Sequence, residues 1–187
     1  MFKDFDISSF KKRKPPGDSS FDTAQEIKAL KKIKLNKSFV KKYDNIEAAF
    51  KKTAEQQGIE DYDKKIASKL IKESAPVILK LKKYHNRPRP KVLAKKMGVK
   101  MKDIELKTMK TPSYPSGHSV QAYLMALTLS DKYPKYRNKL MKTAKDISYS
   151  RRVAHAHYKS DSLFGEQIGK DMYQHIKNKV WDKEHHH

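Results

Sequence analysis

Six consecutive residues, Tyr114-Pro115-Ser116-Gly117-His118-Ser119, bring a turn, a flexible backbone, a hydroxyl and an imidazole to one place in the chain. Pro115 stops whatever precedes it, Gly117 lets the main chain come close to a ligand, and the apolar-periodic run from Val120 begins a helix. A helix N-terminus carries unpaired N–H groups and a partial positive charge, which suits an oxyanion. Taken alone, this stretch reads equally well as an ordinary Ser-Gly turn. Two more clusters lift it above that reading. Lys82 is followed after six residues by Arg89-Pro90, and Ser150-Arg151 is followed after five residues by His157 and after three more by Asp161.

The residue types in these clusters suit phosphoryl chemistry. Lys82, Arg89 and Arg151 are cations that together could hold a dianion, and the planar fork of arginine matches phosphate oxygens. Ser116 and the Gly117 N–H add neutral donors at a helix start. Two histidines can divide a displacement, one attacking phosphorus and the other protonating the leaving oxygen. Asp161, four residues after His157, is placed to accept a hydrogen bond from one ring nitrogen and leave the other as nucleophile.

In order and spacing, the three clusters resemble the signature of the type-2 phosphatidic acid phosphatase superfamily, which also holds bacterial class A acid phosphatases and vanadium-dependent haloperoxidases. The resemblance covers residues 82 to 161. It implies that His157 forms a phosphohistidine intermediate, that Asp161 orients it, and that His118 is the general acid and later the base for water. It further implies that Lys82, Arg89, Ser116, Gly117 and Arg151 bind the phosphoryl oxygens, that no metal or other cofactor takes part, and that vanadate inhibits as a phosphate mimic. Lys80 with Arg87-Pro88 fits the first spacing as well as Lys82 with Arg89-Pro90 does. The second register is preferred because similar proteins often carry an extra arginine two positions before the motif arginine, a place that Arg87 fills; the plainest reading of Lys80 and Arg87 is a solvated rim.

The elements that must position these clusters read as helices. Phe39, Tyr43, Ile46 and Phe50 recur at helical spacing, with Ser38 as the expected N-cap and an end near Gly58. Residues 61 to 84 carry a stripe of Ile66, Leu70, Ser74, Ile78 and Leu81, and Pro76 inside it predicts a kink or a break. A short basic helix is expected from Val92 to Met97, whereas Val99 to Met109 suits a pocket-framing loop or a strand equally. Val120, Tyr123, Leu124 and Leu127 predict an amphipathic helix that stops at Tyr133-Pro134, and Tyr136, Leu140, Ala144 and Ile147 point inward from the next. A last helix starting near Ser160-Asp161 places Phe164, Ile168, Met172, Ile176 and Val180 on one line, while Gly165 and Gly169 let a neighbour approach closely. Helix after helix predicts an all-α, single-domain bundle with the active site at helix ends. The expected division is a flexible basic arm at 1–20, a helical phosphatase domain at 21–182 and a tag-like tail at 183–187.

Composition sets the remaining bounds. Lysine and arginine number 43 against 21 acidic residues, so the formal net charge of +22 attracts anionic, phosphorylated substrates. Peripheral contact with an anionic membrane stays open, while scattered lysines argue against a reader of nucleic-acid sequence. The absence of cysteine excludes disulfides and thiolate metal sites. No run approaches the roughly 18 apolar residues of a membrane span, and no signal peptide is seen, so an intracellular soluble protein is expected. The leading function is a metal-independent phosphoester hydrolase acting on a phosphomonoester or on a lipid phosphate or pyrophosphate. The alternatives are a vanadate-dependent haloperoxidase and a basic module that binds nucleic acid or anionic membrane. His155 breaks the motif spacing and is assigned to packing behind the site, His85 inside the first cluster reads as a surface-turn histidine rather than a pocket residue, and His175 reads as a boundary residue on the last helix.

Overall fold

A computed structural model describes residues 1–185, and His186 and His187 of the expected tag-like tail lie outside the described residues. The helices are α1 (Ser8–Lys12), α2 (Phe21–Lys32), α3 (Lys37–Asp44), α4 (Ile46–Gln56), α5 (Lys64–His85), α6 (Pro90–Lys96), α7 (Gly117–Lys132), α8 (Arg137–Val153) and α9 (Lys159–His185). Among the described residues there is no strand, and the expected all-α bundle is what the chain forms. None of these helices is long and apolar enough to cross a membrane.

The bundle is built around α7, which packs along α8 and α9 and also against α5 and α4. Its expected amphipathic face proves to be only part of what it buries. Val120, Ala122, Leu124, Met125, Ala126 and Leu129 are all fully enclosed, so α7 is a central helix wrapped on nearly every side. Small residues make the closest packing possible. A Cβ on Gly165 would lie 2.5 Å from the Ser116 carbonyl oxygen, and one on Gly169 would lie 2.5 Å from that of Val120. The two glycines of α9 therefore let its backbone press against the first turns of α7, as their spacing predicts.

Several sequence expectations need correction. The single helix expected from Phe39 to Phe50 is two, because Asn45 is extended (φ −93, ψ 109) and its side chain accepts from Ala48 N to start α4. The cap of α3 is Asn36, not Ser38, since the Asn36 side chain accepts from Phe39 N. Pro76 neither breaks nor ends α5; it lies on the exposed side, where the carbonyl it leaves unpaired can be hydrated. The ambiguous stretch after Val99 is a loop with one 3-10 turn at Lys107–Lys110. On α9 the inward line holds through Phe164, Ile168 and Met172, but Val180 is 52% exposed because the helix outruns its neighbours.

The largest correction concerns residues 1–20, which do not form a free arm. Phe2 and Phe10 are buried in the main core, Phe5 stacks on Phe10, and Phe10 meets Phe164 of α9 edge-on. The Tyr114 hydroxyl donates to the Arg13 carbonyl at 3.0 Å, and the Phe10 carbonyl lies 2.9 Å from His85 Nε2. Three aromatic side chains outweigh the lysines and prolines that dominate the segment's composition, so it docks as a strap along the bundle.

Candidate active site

All three motif clusters meet at one end of the bundle. Lys82 comes from the last turn of α5, which Asn86 terminates in the left-handed conformation (φ 49), turning the chain so that Arg87 and Arg89 point back inward. Gly117 and His118 open α7, Arg151 is in the last turn of α8, His157 lies in the turn between α8 and α9, and Asp161 is in the first turn of α9. The Ser116 N–H donates to the Asp161 carbonyl at 3.1 Å, tying the start of α7 to the start of α9.

A cavity of about 250 Å³ opens here, lined by Lys82, Arg89, Gly117, His118 and His157 together with Thr108, Thr111, Gln121, Ala75, Ile78 and Leu79. Among the described residues no group of three or more His, Asp or Glu side chains gathers as a metal site would require. The register question has a structural answer, since Lys82 and Arg89 are buried at the cavity whereas Lys80 is exposed. Arg89 is fixed by backbone carbonyls: Nε donates to Thr111 O at 2.9 Å, Nη2 to Thr108 O at 2.8 Å and Nη1 to Ala156 O at 3.0 Å. The loop after Val99 thus aims the guanidinium.

His157 is held from both sides. Its Nδ1 is 2.8 Å from Asp161 Oδ2, and its Nε2 is 2.9 Å from Arg89 Nη1. A guanidinium has no acceptor, so Nε2 must offer its lone pair and Nδ1 must carry the hydrogen that Asp161 receives. Burial, then the positive charges of Arg89, Lys82 and Arg151, hold this imidazole well below the ordinary histidine range. It is therefore neutral at pH 7, with the lone pair on the cavity-facing nitrogen.

Asp161 has no solvent contact and accepts from four groups: His157 Nδ1, the Ser113 hydroxyl, the Tyr158 N–H at 3.1 Å and Arg87 Nη1 at 2.8 Å. Burial pushes its carboxyl up to about 6, against the pull of Arg87 and Ser113. Arg87 itself is buried, with its guanidinium carbon 3.7 Å from the centre of the Tyr158 ring. It also donates to Ser160 Oγ at 2.7 Å and to Glu26 Oε2 at 3.2 Å. Glu26, from α2, accepts from Ser160 N at 2.6 Å and so satisfies one of the orphan donors of α9.

The other side of the cavity is more open. His118 Nε2 lies 2.7 Å from the carbonyl oxygen of Asp44, and burial followed by Arg151 lowers this histidine to about 3. Burial followed by Arg89 lowers Lys82 to about 7, and its ammonium donates to Pro112 O at 2.8 Å. Burial likewise lowers Arg89, to about 10, so it stays cationic. Arg151 is 1% exposed; its Nη1 donates to Asp44 Oδ1 at 3.1 Å, and its Nη2 is buried with no partner among the described residues. Ser116 stands behind the wall rather than on it: its Oγ caps α7 by accepting from Ser119 N at 3.3 Å and from Ser119 Oγ at 3.0 Å.

Sequence reasoning passed over three residues that support this site and gave a fourth, Arg87, no role in it. Ser113 and Glu26 belong to no motif, and Asp44 sits at a helix end hidden within an apparently continuous periodic run. Arg87 had a signal, its position two before Arg89, but its burial against Asp161 was not foreseen. His155, assigned to packing, has φ 56 and places its two ring nitrogens 2.9 Å from Lys102 O and 2.7 Å from Ile33 O, clasping the turn that carries His157.

The all-helical bundle brings two histidines, Lys82 and Arg89 to one cavity, with Asp161 buried behind His157 and Arg151 joined to His118 through Asp44, and comparison with known sequences names the family. Residues 66–177 match the sequence model of the PAP2 superfamily, and the chain belongs to that family. Over 88 residues it is 36% identical to the non-specific acid phosphatase of Salmonella typhimurium, covering 47% of this chain and 35% of that protein. The non-specific acid phosphatase of Salmonella typhi matches to the same extent. The matched stretch thus spans about a third of the length of these relatives.

Proposed function

We propose that this chain is a phosphoester hydrolase that works through a phosphohistidine on His157. The observation that carries this reading is the fixed tautomer: Asp161 takes the Nδ1 hydrogen while Nε2 presents a lone pair to a cavity lined with cations. As Arg89 Nη1 exchanges its contact with Nε2 for one with a phosphoryl oxygen, Nε2 attacks phosphorus, the bond from phosphorus to the leaving oxygen breaks, and that oxygen takes a proton from His118. Water then attacks the phosphohistidine, giving its proton to His118, and the nitrogen–phosphorus bond breaks to release phosphate and neutral His157. Lys82, Arg89, Arg151 and the Gly117 N–H bind the phosphoryl oxygens, with Ser116 acting through the capped helix start. Charge on preorganised side chains stabilises the transition state, so no metal is required.

Burial and Arg151 hold His118 at about 3, and a bound phosphate dianion offsets Arg151 and favours the protonated form. Substrate entry thereby charges the acid when it is needed. The apolar wall of Ala75, Ile78 and Leu79 supports an organic leaving group, as in a phosphomonoester or a lipid phosphate or pyrophosphate. The relatives' printed activity, non-specific acid phosphatase, supports the same reaction class. His157→Ala, assayed on an aryl phosphate with chelator present, should lower kcat by about a thousandfold or more. Undiminished turnover by this variant would overturn the assignment, and vanadate should inhibit the wild-type protein competitively.

A further inference from the structure

We propose that Asp44 positions the acid: the junction between α3 and α4 holds the Nε2–H of His118 on its carbonyl and Arg151 on its carboxylate, leaving Nδ1 of His118 to exchange the proton. The proposal rests on the phosphatase reading above. Asp44 precedes residues 66–177, the segment that matches the family.

The local structure explains why one residue can serve both partners. Asp44 is the last residue of α3, and the extended Asn45 starts α4 by capping Ala48 N. The Asp44 carbonyl is therefore one of the acceptors that a helix end leaves unpaired, and His118 Nε2 is the partner it finds, at 2.7 Å. A carbonyl only accepts, so Nε2 keeps a hydrogen for as long as this contact lasts. Neutral His118 then has its lone pair on Nδ1, and protonated His118 has its transferable hydrogen there.

The carboxylate acts on the same pair. Asp44 Oδ1 is 3.1 Å from Arg151 Nη1 and 4.0 Å from His118 Nε2. Its charge and the negative end of α3 both favour an imidazolium, against Arg151 from α8 and Lys82 from α5. The carboxylate takes only one edge of the guanidinium, and the buried Nη2, unpartnered among the described residues, is left for a phosphoryl oxygen. Asp44 is a positioning residue, since it acts through His118 and Arg151 rather than on the reacting atoms.

The test compares an aryl phosphate, whose leaving group needs no acid, with an alkyl phosphate, whose leaving group does. In Asp44→Asn the aryl-to-alkyl ratio of kcat should rise about tenfold or more. Asp44→Glu should bring the ratio back toward wild type. The basic limb of the kcat profile should move to lower pH in Asp44→Asn, because the groups still facing His118 (Arg151, Lys82, Arg89 and His157) are cationic or neutral. Vanadate should inhibit Asp44→Asn at least as well as wild type, since Arg151 no longer shares its charge. An unchanged ratio in a folded Asp44→Asn protein, or equal loss on both esters with weakened vanadate inhibition, overturns the role of Asp44 alone. Failure of wild type on both esters, or full turnover by His157→Ala, overturns the phosphatase reading and this proposal with it.

Discussion

His157 and His118 face one cavity from opposite surroundings. His157 is gripped at both nitrogens, and its partner Asp161 is gripped in turn by Ser113, Arg87 and the Tyr158 N–H. Arg87 is then tied to Glu26 and Ser160, so three successive layers of buried contacts stand behind one imidazole. Among the described residues His118 has a single hydrogen bond, to a carbonyl at a junction whose own side chain is 52% exposed. The contrast matches the two tasks proposed for them. A nucleophile needs one tautomer and one orientation throughout, whereas an acid must pass its proton to a leaving group and recover one from water.

The sharpest way to break this comparison is at Arg87. Arg87→Gln leaves the fully buried Asp161 without its countercharge, which should cost about 3–5 kcal/mol of stability, read by urea unfolding. In whatever folded protein remains, Asp161 titrates higher than in wild type, so the acid limb of activity moves up in pH. A variant as stable as wild type with an unshifted limb would show that the layers behind His157 are packing alone.

His118→Ala is the complementary break on the open side. It should spare vanadate binding while lowering kcat by about a hundredfold or more for alkyl phosphates and much less for aryl phosphates. Equal losses on good and poor leaving groups would remove His118 from the acid's role.

The pH dependence of kcat/KM reads both sides at once. Asp161, raised to about 6, must be ionised to hold the Nδ1 hydrogen of His157, so activity falls as pH drops through about 6. Lys82, lowered to about 7, must be protonated to meet the incoming dianion, so activity also falls as pH rises through about 7. The expected profile is a narrow bell, and Lys82→Arg should extend its basic limb. A plateau reaching well below pH 6 in wild type would contradict an ionised Asp161.

Gly165→Ala sharpens the comparison at the smallest expected cost. The added methyl meets the Ser116 carbonyl at 2.5 Å and Ser119 Cβ at 2.9 Å, so α7 and α9 must part. Stability should fall by about 1–3 kcal/mol. Because Ser116 N donates to Asp161 O, the same shift moves the His118 side relative to the His157 side, and kcat should fall while the melt stays cooperative. Full activity in this variant would show that the spacing between α7 and α9 does not set the geometry of the site.

Much of this molecule was legible in the sequence because its signals are local. Lys82, Arg89, Gly117, His118 and His157 could be named from their spacing, and they line one cavity. The helix of Arg137–Val153 and the close approach at Gly165 followed from periodicity and glycine spacing. Other features were illegible because they depend on competing partners. Phe2 and Phe10 dock an otherwise polar segment, which composition averaged over twenty residues concealed. The break at Asn45 was hidden by apolar spacing that continues through it, since an asparagine can sit within a helix or cap the next one.

The sequence by itself determined an all-helical chain with phosphate-binding residue types in order, because helical period, caps and motif spacing are properties of neighbours along the chain. Only the tertiary structure decided which nitrogen of each histidine carries the lone pair, because that is set by Arg89, Asp161 and Asp44, which arrive from α5's turn, α9 and the end of α3. It also decided that Arg87 belongs behind Asp161 rather than on a solvated rim, since burial and charge pairing act between residues 74 positions apart. Hydrogen-bond direction and desolvation are fixed by whatever surrounds a group in space, and the linear chain does not carry that information.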